Sequence, residues 1–226
     1  MGTVLAGGVA GWLLGERLPA RVRETATVGV GLSTLVLGAK LALSTHNLLV
    51  LMLAVIGGGA LGAALGISGR LESLSRGVER AFAGRPLAEG FLTASLLFCI
   101  GPMSILGALE DGLFGDWSLL GAKSILDGVS AVALAASLGP GVLLSLATLL
   151  VYQGGITLGA RLLATGLASF SPNSPYVAEL SAAGGAIILA LGIGILKLRD
   201  LKPADFLPAL ALAPFLTWLL VLWGHY

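Results

Sequence analysis

Eight apolar runs, near residues 2–15, 26–43, 48–67, 91–109, 117–138, 141–163, 177–197 and 203–223, take up most of this 226-residue chain. A helical residue rises 1.5 Å and a bilayer core is about 30 Å thick, so about 20 apolar residues cross it. Most of the runs approach that length. The chain is 56% hydrophobic and only 11% charged, where a soluble domain carries about 25% charged residues. Its 34 glycines suit packed membrane helices better than soluble ones. The expectation is an all-α, polytopic transmembrane helix bundle of about eight spans, forming one integral-membrane domain over residues 1–226. The first run is short enough to be a partial or tilted span. The fifth and sixth are joined only by Leu138-Gly139-Pro140-Gly141, which leaves a hairpin short of full crossing open, and with it six or seven spans.

Basic loops set the orientation. Arg17, Arg21 and Arg23 follow the first run, Arg70, Arg76, Arg80 and Arg85 the third, and Lys197, Arg199 and Lys202 the seventh. With eight spans these loops share one side, and Arg161 alone goes against the pattern. Both termini are then expected outside. The start of the chain, without a basic region before its apolar run, does not read as a secretory signal. Between runs three and four, residues 68–85 set Leu71, Leu74, Val78 and Phe82 along one helical face, as an amphipathic connector on the cytoplasmic surface would.

Glycines recur every four positions at Gly7, Gly11 and Gly15, at Gly58, Gly62 and Gly66, and at Gly155 and Gly159. Such rows let backbones approach closely, within one subunit or between two. A weak internal likeness links residues 6–18 with 153–163, and Gly29 and Gly38 with Gly185 and Gly194. The matched runs are five apart, so the copies would be inverted, as in many secondary transporters.

Two oddities meet at mid-depth. Run four, from Phe91, is broken by Gly101-Pro102, and proline removes a helical donor and frees a carbonyl near residue 98. Irregular backbone at that depth belongs in protein or beside a wet cavity. Run five carries Lys123 and Asp127 four residues apart, on one helix face that Ser130 continues. An aspartate at a helix centre costs about 2.5–3.5 kcal/mol to insert, so it faces the protein interior or water. Asp127 is therefore the first candidate ligand for a solute cation or coupling ion, with Lys123 tuning its charge. Ser95, Cys99, Gly101, Pro102, Ser104, Ser130 and Gln153 are candidate cavity groups, and Glu179, at the start of run seven, is a weaker one. The bland alternative is a self-neutralising Lys123–Asp127 pair beside a kinked helix.

Enzyme signatures are absent. His46 and His225 have no metal-ligand spacing, no phosphate-binding or nucleophile motif occurs, and the lone Cys99 excludes an intrachain disulfide. No cofactor is expected beyond coupling to H⁺ or Na⁺, and no nucleic-acid partner.

The stretches TASLLFCIGPMSILGALEDGL, KSILDGVSAVALAASLG, VYQGGITL and ELSAAGGAIILALGIGIL together resemble the YqgA/YdfK-like bacterial inner-membrane proteins, a family of unknown function. The resemblance spans nearly the whole chain and implies a multi-pass protein of the bacterial plasma membrane. The chain departs from the family in its first run, where GTVLAGG lacks the asparagine often found there. The functional expectation is a small secondary transporter for a small solute, homodimeric because 226 residues make a thin wall around a cavity. The alternatives are a channel and a non-transporting membrane scaffold.

Overall fold

The computed structural model describes residues 1–81, 87–100, 102–162 and 174–223, and these residues are helical with no strand among them. Among the described residues ten α-helices follow one another: α1 (Gly2–Arg17), α2 (Ala20–Ala42), α3 (Leu48–Ala64), α4 (Ile67–Ala81), α5 (Ala88–Ile100), α6 (Pro102–Phe114), α7 (Ser118–Leu138), α8 (Gly141–Leu162), α9 (Pro175–Ile195) and α10 (Ala209–Leu222). A 3₁₀ turn, Pro203–Phe206, leads into α10. Among the described residues five helical segments are long and apolar enough to cross a membrane: α2, α7, α8, α9, and residues 203–222. The number rises to seven if each of two bent pairs is one span. α1 is apolar but shorter than a full span, as its brief apolar run leads one to expect. α7 and α8 each reach crossing length, so a hairpin stopping short is not required there.

The bent pairs sit where the sequence places its breaks. α3 and α4 meet at 55° across Gly66, whose φ of +63° a side chain would resist. Residues 88–100 and 103–114 meet at 58°. α4 occupies the expected connector as a helix; Phe82 and Arg85 lie outside the described residues.

The chain forms two compact units. The first comprises residues 1–30 and 72–169. In it α1 lies along α7, while α5 and α6 pack on α8. Its core gathers Val4, Ala94, Phe98, Cys99, Leu134 and Leu149 from four helices. The α1–α7 seam is made by the first glycine row. Gly7 faces the carbonyl of Gly128, Gly11 faces the backbone of Val132, and Gly15 faces Ala136. Thr3 extends the seam by donating to the Ser124 carbonyl at 2.6 Å. α7 itself starts at a turn in which the Ser118 hydroxyl and backbone N–H both donate to Asp116. These bonds hold the exposed Asp116 carboxyl below its usual range. Their support for the turn is present above the ordinary carboxylate pKa and is lost as pH falls through the lowered one.

The second unit comprises residues 31–71 and 170–226. α9 is its most buried helix, presenting Ala182, Ala183, Gly184, Gly185, Ile187 and Ile188 to its neighbours. The second glycine row serves here: Gly58 faces the Ala209 backbone and Gly62 the Asp205 carbonyl. Glu179, fully buried, accepts hydrogen bonds from Thr45 Oγ1 (2.7 Å) and from the backbone N–H groups of His46 (2.8 Å) and Asn47 (2.9 Å). The carboxylate thus holds the turn that starts α3, where Asn47 caps Leu49 N–H at 3.1 Å. Glu179→Gln turns one charged acceptor oxygen into a neutral carbonyl and the other into an NH₂ donor, and is expected to cost about 1–2 kcal/mol, read as a lowered melting midpoint in detergent.

Large apolar side chains remain outside on the spanning helices: Val36, Val129 and Val151 are 68–75% exposed. In water such surfaces aggregate; in lipid they are at home.

Candidate functional site

A cavity of about 670 Å³ opens in the first unit between α1, α6, α7 and α8, within the range of small-molecule sites. Its polar wall is drawn from four helices: Thr3 of α1, Asp111 of α6, Lys123, Ser124 and Asp127 of α7, and Gln153 and Thr157 of α8. Its apolar wall includes Trp117, Leu120, Ile125, Leu149 and Leu158.

α7 brings Lys123 and Asp127 together by periodicity alone, since residues four apart share a helix face. Lys123 donates to Asp127 Oδ2, and the two side chains are only 7% and 15% exposed. Asp127 is the tenth residue of a 21-residue spanning helix, so the pair lies deep. From the facing helix, Gln153 lines the same space, and its Nε2 is buried without a hydrogen-bond partner among the described residues. Such an orphan donor is costly unless something fills it.

Three of the residues singled out from sequence therefore share one cavity: Lys123, Asp127 and Gln153. The others are placed elsewhere. Ser95 is buried and bonds Thr148 Oγ1 at 3.1 Å, tying α5 to α8. Cys99 belongs to the packed core beside Phe98 and Leu149. Ser130 is half-buried on α7 and is not on the cavity wall. Glu179 is the turn-holding carboxylate of the second unit. Gly101 and the side chain of Pro102 lie outside the described residues.

Ser104 answers the question raised by the break. It is fully buried, and its hydroxyl donates to the carbonyl of Phe98 at 2.6 Å. A helix-breaking proline frees carbonyls about four residues upstream, and in this chain a serine two residues after the proline satisfies one of them. The bend is thus closed locally.

Sequence reasoning missed Asp111, Thr157, Thr3 and Ser124. Asp111 reads as part of an acidic loop, but α6 continues through Phe114 and stops only before Gly115, whose φ is +69°. The absence of a breaker between Gly112 and Phe114 was the available signal. Thr157 stands four residues after Gln153, so its place follows once Gln153 is assigned inward.

Comparison with known proteins finds a family and two relatives. A family model described as a protein of unknown function (DUF554) matches residues 1–218. The chain is 29% identical over 228 residues to the uncharacterized membrane protein YdfK of Bacillus subtilis (strain 168), covering 98% of this chain and 94% of the relative. It is 34% identical over 217 residues to the uncharacterized protein YqgA of Escherichia coli (strain K12), covering 93% and 90%. No solved structure matches it.

Proposed function

Because the chain belongs to the DUF554 family, a family of unknown function with a relative named as a membrane protein, we propose that it is a small secondary transporter moving a small solute across the bacterial plasma membrane. The observation that carries this reading is the cavity whose wall holds the buried Lys123–Asp127 pair deep in a spanning helix. Ionisable groups at such depth are expensive and mark solute or ion pathways. A pair meant only to neutralise itself has no need of a 670 Å³ space, an orphan amide and a second carboxylate beside it. Asp127 is the coupling residue for H⁺ or Na⁺, and Lys123 is the internal cation that holds it when the ion is away.

Three further parts of the reading have their own support. The basic loops favour both termini outside. α2 and α9 cross antiparallel, Gly31 meeting Leu196 and Gly38 meeting Leu189, as copies inverted in the membrane would. A Cβ added at Gly155 or Gly159 of α8 would meet nothing within 4 Å among the described residues, which suits that row to a second subunit.

The test is flux in proteoliposomes holding the purified protein, with an imposed pH or Na⁺ gradient and a labelled solute panel. Gradient-driven uptake is expected, and Asp127→Asn is expected to reduce it at least about a hundredfold while the protein still elutes as a folded peak. Undiminished uptake by the variant would remove Asp127 from the coupling role.

A further inference from the structure

We infer that the solute of this cavity is a small zwitterion with an apolar body, of the class of an apolar α-amino acid. The inference rests on the transport reading above for its setting, and on the unfilled bonding capacity of the wall for its chemistry.

The wall offers both signs at once. Lys123 has three N–H donors, and among the described residues its hydrogen-bond partner is Asp127 alone. Gln153 adds a neutral polar side chain to the same wall. These groups together want an acceptor with several lone pairs, which a carboxylate supplies and a hydroxyl does not. Against them stand acceptors with spare capacity. Asp127 uses Oδ2 for Lys123, and the Asp111 carboxylate has no hydrogen-bond or ion-pair partner among the described residues. Each carboxylate is an acceptor for an ammonium.

The remaining wall of Trp117, Leu120, Ile125 and Leu158 asks for an apolar group rather than a sugar or a second charge. A simple cation would leave the lysine donors unfilled, and a simple anion would leave Asp111 unfilled.

The experiment measures binding and transport separately. Purified protein in detergent is titrated with L-leucine, L-methionine and L-phenylalanine. Two truncated probes, isopentylamine and 4-methylpentanoate, keep the leucine body but lose one charge each. At least one amino acid is expected to bind, and both truncated probes to bind at least about tenfold more weakly, since each forfeits a charged hydrogen bond. Gln153→Leu and Asp111→Asn are each expected to weaken the amino acid about tenfold. Equal or tighter binding of isopentylamine, or no binding by any of the three amino acids, overturns the zwitterion assignment. Counterflow in proteoliposomes then separates the two ideas. Amino-acid binding without counterflow keeps the ligand class and removes transport; counterflow of the amine but not of the amino acids keeps transport and removes the class.

Discussion

Gly11→Leu is expected to lower the melting midpoint of the detergent-solubilised protein by about 6 °C or more, while Gly159→Leu leaves it unchanged. The two glycines look alike in sequence, each the member of a four-residue row. In the structure a Cβ at Gly11 would come to 2.8 Å from both the Cα and the carbonyl carbon of Val132, closer than real contacts allow. These are backbone atoms of α7, so no rotamer change relieves the clash, and α1 must lift from its seam. Overpacking costs about 1–3 kcal/mol and more where nothing yields, and for a chain of this size each 1 kcal/mol moves the midpoint about 2–4 °C. A Cβ at Gly159 meets nothing within 4 Å among the described residues, so leucine there has room. Because α1 supplies Thr3 to the cavity wall, the Gly11 variant should also lose solute binding. Equal midpoints for the two variants would dissolve the α1–α7 seam.

The second large effect concerns the buried pair. Lys123→Met alone leaves Asp127 without its cation, and Asp127→Leu alone leaves the ammonium of Lys123 without its anion. Each single change is expected to cost about 3 kcal/mol, the low end of the range for stranding one partner of a buried ion pair, because the pair borders a cavity rather than packed protein. The double change, Lys123→Met with Asp127→Leu, is expected to recover most of that loss, since apolar replacement of a whole buried pair is often neutral. Transport should not recover with it. This double-mutant cycle, read as melting midpoints beside flux, separates a pair kept for stability from one kept for function. A double variant as unstable as either single one would mean that the two side chains do not act as a unit.

How much of this was legible in the sequence follows from which forces act locally. The helices were, because a run of about 20 apolar residues has no other use in lipid, and each apolar run holds a helix. Lys123 and Asp127 were, because helical periodicity places residues four apart on one face wherever the helix goes. Gln153 was legible as a polar group at mid-run, though only the packing of α8 turns it to the cavity. Ser95, Cys99 and Ser104 carry the same polar mark but face other helices. Which of several polar groups meets a cavity depends on helix rotation about its axis, and rotation is set by neighbours far away in sequence. Asp111 was hidden for a different reason: an acidic pair near a helix end looks like a loop. Glu179 shows that a buried carboxylate need not be a ligand group, since the backbone N–H groups at the start of α3 satisfy it.

The most direct measurement is thiol accessibility at two positions in membranes. Native Cys99 lies in the packed core, and Thr157 lines the cavity. With a small water-soluble thiol reagent, the native protein is expected to react slowly. A Cys99→Ser, Thr157→Cys protein is expected to react at least about tenfold faster, and to be protected by the amino acid that binds. Fast reaction at Cys99 together with a silent Thr157→Cys would contradict the account, because the water would then be at the α5–α6 bend and not beside Asp127.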